Sequence, residues 1–207
     1  SVDIPILGVN LGTLGFHAEI EPTNVYEAID KLFCKEYKIE ERMHVSGDIY
    51  RDGKLIYTGD SLNDIVVTRA GYSRIICLKV LVNGKLLDIY EGDGIIIATP
   101  TGSTGYNMSA GGPIVSPGTS LIIVTPVSPH SLTTKSIAFS SEDNITIEVV
   151  GKRDGQEEEA FASFGGRKGL ALKQGDILHI NKSSRTTKLI NVYDVAFYEF
   201  LKHKLDK

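Results

Sequence analysis

The sequence predicts an α+β protein in three parts: the end of an N-terminal α/β (Rossmann-like) domain, a large antiparallel β-sandwich-like domain, and a C-terminal helix returning to the first part. Three observations lead there. The opening residues read strand, loop, helix. Between Met43 and Leu189 apolar or alternating runs are broken by the turn pairs Asp52-Gly53, Asn83-Gly84 and Asp154-Gly155, with no convincing helix of useful length. The stretch Val192–Leu205 then resumes helical spacing. The expected boundaries are 1–38, 39–190 and 191–207.

In order, Val2–Leu7 reads as a buried strand, and Ile4–Asn10 as an apolar run closed by Gly8 and Gly12. A domain rarely begins inside a core strand, so the natural N-terminus is expected upstream of Ser1. Asn24 and Glu27 have the spacing of a capping box. Val25, Ala28, Ile29, Leu32 and Phe33 follow at helical intervals. Each Asp-Gly or Asn-Gly pair predicts a hairpin turn, because Gly accepts positive φ and Asn or Asp tolerates it. Val80–Val82 and Leu86-Leu87 flank one such turn. Ile145–Val150, Gly169–Leu172 and Ile177–Ile180 add strands. So many antiparallel strands imply two packed sheets. In the last stretch Val192, Val195, Ala196, Phe200 and Leu201 form an apolar face, expected to dock on the α/β part.

Composition narrows the function classes. The 207 residues are 42% hydrophobic and 23% charged, ordinary for a globular protein. A net charge of −4 without a Lys/Arg block speaks against nucleic acid or an anionic membrane as partner. No apolar run approaches the roughly 20 residues of a membrane span, and no secretory signal is visible. Cys34 and Cys77 lack metal-ligand spacing and read as reduced thiols in the cytoplasm. No metal ligands are indicated.

The most informative segment is Glu91–Pro117, EGDGIIIATPTGSTGYNMSAGGPIVSP. A Gly92-Asp93-Gly94 turn leads into the apolar strand Ile95–Ala98, which opens into a loop of Thr, Ser, Gly and Pro. Such a loop gives little to a core but offers hydroxyls, free N–H groups and glycines that allow close approach, a common way to hold a nucleotide. On composition alone it also reads as a surface loop. Asn63-Asp64, an amide beside a carboxylate at the mouth of a strand, suits ribose hydroxyls; it is also a turn dipeptide.

Four segments in order resemble the NAD kinase family: Ile6–Phe16 (ILGVNLGTLGF), Leu62–Val67 (LNDIVV), Gly92–Ser109, and Pro129–Leu132 (PHSL). The resemblance covers essentially the whole chain. It implies transfer of the γ-phosphoryl of ATP, with Mg²⁺ or another divalent cation, to the 2′-hydroxyl of the adenosine ribose of NAD. It implies that Asn63 and Asp64 hold that ribose, that Thr104, Gly105, Tyr106, Asn107 and Ser109 form the dinucleotide segment, and that Phe16 flanks the adenine. Asp93 and Thr101 fall at the nicotinamide end, and in bacterial relatives these come from a neighbouring subunit, so a homodimer or homotetramer with a shared site is expected. Arg74 stands where relatives carry a basic residue near phosphate, and Ser128 matches a small residue lining the ligand. His130 reads as structural or functional.

The chain also departs from the family. The Gly-Gly-Asp-Gly-Thr loop that supplies the catalytic Asp is absent and is expected upstream of Ser1. Asp93 belongs to the later segment. Asp64 replaces a Glu, Glu91 a basic residue, and Gly165-Gly166-Arg167 an Asp-Gly-Gln. The alternatives are a lipid kinase of the same superfamily and a non-catalytic NAD(P)-binding sensor.

Overall fold

A computed structural model of the chain describes residues 3–11, 18, 20–70, 75–131, 133–151, 159–167, 169–193 and 197–205. Asp154-Gly155, Phe16, Arg74, Val195 and Ala196 lie outside the described residues. Asp52 and Gly53 sit at φ 50° and 73°, and Asn83 and Gly84 at 50° and 76°. Two successive left-handed residues give the twist that joins adjacent antiparallel strands, so these pairs turn β1 (Lys38–Arg51) into β2 (Lys54–Ser61) and β4 (Ile76–Val82) into β5 (Lys85–Gly92). The remaining strands are β3 (Asp64–Arg69), β6 (Gly94–Ala98), β7 (Leu121–Val127), β8 (Ile137–Ser140), β9 (Ile145–Val150), β10 (Glu159–Phe164), β11 (Leu170–Lys173) and β12 (Ile177–Asn191).

They form two six-stranded sheets, ordered β2-β1-β12-β9-β4-β5 and β11-β10-β3-β6-β7-β8. The main core lies between them. Val45, Ile49, Leu78, Val80, Ile145, Ile147, Leu178 and Ile180 come from the first sheet. Ile65, Val67, Ile95, Ile97, Ile122, Val124, Ala160, Ala162 and Phe164 come from the second. These positions are alternate residues of each strand, as the pleat requires. Each buried Ile or Val contributes about 1.5–3 kcal/mol relative to exposure.

The second sheet is covered on its other face too, which explains why every residue of β6 is buried. Val66, Ile96, Ala98 and Ile123 point away from the main core and form a smaller one, with Ala110, Val115, Leu121 and Val127 packed against it. Ala110 and Val115 belong to the loop that follows β6. That loop contains a 3-10 turn (Thr101–Thr104) and one turn of helix, α2 (Tyr106–Ser109). These are the helical elements described between Met43 and Leu189, both too short to show as periodicity.

The chain divides into two compact units, Met43–Arg185 and Ser1–Arg42 with Thr186–Lys207. The second holds helix α1 (Val25–Phe33), whose Ala28 packs with Ile20 and Val192. Helix α3 (Phe197–Leu205) belongs to the same unit.

Three sequence expectations change. Ile4 and Ile6 are 65% and 53% exposed, not buried: the pairing here is an isolated parallel bridge from Ile6 to Leu189 rather than a strand inside a sheet. Asn24 forms no side-chain cap, because Pro22 starts a 3-10 turn two residues before it and leaves Asn24 at φ −106°, ψ 9°, away from the extended geometry of a cap. Finally, β12 continues to Asn191, far past Ile180.

Candidate active site

The site is assembled at the end of β3 nearest Asp64. Asn63 lies in the two-residue connection between β2 and β3. Its carbonyl accepts a hydrogen bond from the Thr99 N–H at 2.8 Å. The Thr99 hydroxyl donates to the Leu62 carbonyl at 2.6 Å and accepts from the Gly102 N–H at 3.1 Å. The loop after β6 is thereby pinned to the Asn63 connection. Gly102 lies against the Asn63 backbone so closely that a Cβ would stand 2.8 Å from the Asn63 Cα, and only glycine fits there. From the other side the Ser61 hydroxyl accepts from the Asp64 N–H at 3.1 Å, and the Gly165 N–H donates to the Asp64 carbonyl at 2.9 Å.

These ties border a cleft of about 330 Å³ on the face of the second sheet opposite the main core. Asp64, Val66 and Thr68 line it as alternate residues of β3, with Asn63 at the head and Tyr106 from α2 over one side. Ser163, paired in register with Val66, and the Gly165-Gly166 turn form the other wall. Asp64 is 6% exposed, and burial raises its carboxyl above the usual aspartate range. Among the described residues no side chain bonds or ion-pairs with that carboxyl. A cleft with a neutral amide, hydroxyls, an aromatic ring and one desolvated carboxylate suits a polyhydroxylated ligand with a flat ring.

The structure therefore brings Asn63, Asp64 and Tyr106 together, with Gly105 beside the Asn63 amide. Tyr106 is 44% exposed, so its ring is available to pack on a ligand. Thr104 is buried, and its hydroxyl lies 3.4 Å from the Thr101 carbonyl. Thr101 is buried, and among the described residues its own hydroxyl has no partner. Ser109 is exposed on α2. Asn107 is fully buried and its amide is engaged within the protein: Nδ2 donates to the Ser103 and Pro113 carbonyls at 3.1 and 2.9 Å, and Oδ1 accepts from Thr125 at 2.6 Å.

Asp93 and Ser128 lie at the other end of β6. Gly94 pairs with Thr68 and Val127, whereas Ala98 pairs with Asp64. Four residues of strand separate the two ends, roughly 13 Å. Asp93 accepts from Arg69 Nε at 2.7 Å, and its N–H donates to the Val127 carbonyl at 3.0 Å. Ser128 is exposed at φ 46°, a left-handed conformation uncommon outside glycine. His130 donates its backbone N–H to the Glu91 carbonyl at 2.9 Å.

The sequence reading missed Val66, Thr68, Ser163, Gly165 and Gly166 as lining residues. Val66 and Thr68 were recoverable, since once Asp64 faces the site the period of two places 66 and 68 beside it. Ser163 and the glycines reach the cleft only through the β10–β3 register, which no local signal encodes.

Comparison with known proteins identifies the family. Residues 62–192 match the ATP-NAD kinase C-terminal domain, and residues 1–37 the ATP-NAD kinase N-terminal domain. The NAD kinase of Lachnoclostridium phytofermentans is 44% identical over 205 residues, spanning 98% of this chain and 72% of the relative. That of Agathobacter rectalis is 43% identical, spanning 99% and 71%. Among solved structures, an NAD kinase from Archaeoglobus fulgidus in complex with ATP superposes with a TM-score of 0.79 at 28% identity, over 98% of this chain and 74% of that one. Yeast NADH kinase complexed with NADH superposes at 0.87 and 24% identity, over 98% of this chain and 58% of that one, and so speaks to the fold alone. With both domain matches in chain order and relatives above 40% identity across almost every residue, the chain belongs to the NAD kinase family.

Proposed function

We propose that this chain provides the acceptor side of an NAD kinase, which transfers the γ-phosphoryl of ATP to the 2′-hydroxyl of the adenosine ribose of NAD to give NADP. The observation that carries the reading is the convergence of Asn63, Asp64 and Tyr106 on one cleft. Phosphoryl transfer depends mainly on positioning and charge neutralisation. Asn63 can donate to one ribose oxygen and accept from the other hydroxyl. Ionised Asp64 accepts from the hydroxyls and, being desolvated, does so strongly. Tyr106 packs on the adenosine, and the hydroxyl-rich loop from Thr101 to Thr104 borders the nucleotide. We assign Phe16 to the adenine edge and Arg74 to phosphate on the family resemblance.

The 207 residues contain no Gly-Gly-Asp-Gly segment, so the base that takes the 2′-hydroxyl proton is assigned outside them. Mg²⁺ enters with ATP as part of the substrate. Among the described residues no group of His, Cys, Asp or Glu is arranged to hold a resident ion. Asp93 and Thr101 are assigned to the nicotinamide half of a site shared between subunits of a homodimer or homotetramer, and Ser128 to the lining of the ligand. No helix among the described residues is long and apolar enough to cross a membrane. We assign the protein to the cytoplasm, where thiols such as exposed Cys34 and buried Cys77 stay reduced.

The test is NADP formation by the full-length enzyme carrying Asn63→Ala. Loss of the paired ribose contacts costs about 1–3 kcal/mol, roughly 5–150-fold in kcat/KM for NAD. Unchanged kcat/KM would refute the assignment of the cleft to the ribose.

A further inference from the structure

We propose that Thr125 is a positioning residue for the NAD site, acting through Asn107. The outer face of the second sheet carries the cross-strand row Ser163–Val66–Ile96–Thr125, fixed by the β10–β3, β3–β6 and β6–β7 registers. The first two members of that row line the cleft. Thr125, two strands further along, is fully buried under the loop. Its hydroxyl donates to Asn107 Oδ1 at 2.6 Å. The Asn107 amide then donates to both limbs of the loop, to the Ser103 carbonyl on the way in and the Pro113 carbonyl on the way out. A second tie closes beside it, where the Ser103 hydroxyl and the Val115 backbone exchange hydrogen bonds at 3.0 and 3.2 Å. A Cβ at Gly112 would collide with the Asn107 amide.

This arrangement makes Asn107 a frame member. Its three polar contacts are all internal and it has no exposed surface, so it acts on ligand through the backbone it holds. The residue it fixes most directly is its neighbour Tyr106, the ring over the cleft. Among the described residues Thr125 is the link in this tie that comes from the sheet itself, and it sets where the frame stands relative to β3. A hydroxyl contact inside an otherwise apolar cluster is strongly directional, because the buried amide oxygen has no water to turn to.

The consequence for NAD rests on the function proposed above; the tie itself does not. The experiment compares Thr125→Val, which keeps the shape and removes the donor, with Thr125→Ser, which keeps the donor, in the full-length enzyme. Two readouts separate the claims. Amide hydrogen exchange over Ser103–Val115 is expected to speed up at least tenfold in Thr125→Val and to stay near wild type in Thr125→Ser. KM for NAD is expected to rise about tenfold in Thr125→Val with KM for ATP unchanged, and to recover in Thr125→Ser. Ile122→Val, on the same strand but facing the main core, controls for general loss of stability and should leave KM for NAD within twofold. Should Thr125→Val not fold, Thr125→Ala removes the same donor with a smaller side chain and is read in the same way. Unchanged exchange in the loop overturns the tie. Faster exchange with KM for NAD unmoved overturns the positioning role. A parallel rise in KM with Ile122→Val reduces Thr125 to a stability residue and overturns the inference as well.

Discussion

Gly102→Ala is the most direct probe of how the loop is seated. The new methyl would lie 2.5 Å from the Asn63 carbonyl carbon and 2.8 Å from its Cα. Carbon atoms in contact prefer about 3.5–4.0 Å, so the two backbones must part by roughly an ångström. Neither neighbour is a flexible side-chain tip that could swing aside. The movement strains the Thr99 N–H bond to the Asn63 carbonyl, now 2.8 Å long. Forced overpacking costs about 1–3 kcal/mol, and loss of that bond adds about 0.5–1.5 kcal/mol. A protein of this size loses about 2–4 °C of Tm per kcal/mol, so a total cost of about 1.5–4.5 kcal/mol gives a fall of roughly 3–18 °C. The assay is thermal unfolding of the full-length protein with and without NAD. Wild type at 100 times Kd gains about 2.7 kcal/mol from the ligand, and the variant should gain clearly less, because Asn63 is displaced. A Tm within about a degree of wild type would refute the tight apposition. A large fall in Tm with the full NAD-induced gain would refute the claim that the seat of the loop sets the geometry of Asn63.

Two further outcomes follow from buried charge. Burial raises the Asp64 carboxyl, so the folded protein binds its proton more readily than the unfolded chain does; ionised Asp64 therefore destabilises the fold at neutral pH, and this penalty is relieved as the pH falls through the raised value. Asp64→Asn should raise Tm at pH 7 while weakening NAD binding, and it should abolish a rise in KM for NAD on acidification that begins above the ordinary aspartate range; a pH profile of KM for both proteins checks it. Asp176 behaves oppositely: burial alone would raise its carboxyl, but hydrogen bonds from Arg51 and from the Lys173 N–H outweigh that and lower it. The Arg51 guanidinium grips it in two-pronged fashion at 2.9 and 2.6 Å. Its stabilisation is present above the unfolded carboxyl range and lost as pH falls through the lowered value. Arg51 is partly exposed, so Arg51→Ala should cost about 1–3 kcal/mol at neutral pH, read from urea midpoints, with the gap to wild type closing in acid.

How much of this was legible beforehand depends on how local the signal is. The Asp52-Gly53 and Asn83-Gly84 turns, the apolar β6 and the helix from Val25 are written in consecutive residues, and the structure repeats them. Asn63, Asp64 and Tyr106 were found through the order of their segments, and the cleft then places them together. The C-terminal half of β12, Asn181-Lys-Ser-Ser-Arg-Thr-Thr-Lys188, was hidden because its side chains are mostly polar and it is held by neighbours in the sheet. The Asn24 cap failed because Pro22, two residues earlier, starts the helix by a different route. Asn107 shows the subtlest limit. Its type and place suggest a ligand contact, while its burial and its bonds to Thr125, Ser103 and Pro113 are tertiary facts. Gly165 and Gly166 reach the cleft only because β10 pairs with β3.

The second small core under the loop has a consequence for variation. On the Tyr106 side the cleft wall is also the lid over Val66, Ile96, Ala98 and Ile123. A change there that reshapes the pocket also uncovers apolar surface. The opposite wall carries no such burden. Gly166 has open space around its α-carbon, and its positive φ of 72° suits Asn or Asp as well as Gly, while Arg167 is exposed. Diversity in ligand preference should therefore accumulate at Ser163, Gly166 and Arg167, with the core residue Phe164 and the tightly seated Gly165 kept, and a library built on those three positions should yield folded proteins far more often than one built on Thr99–Val115.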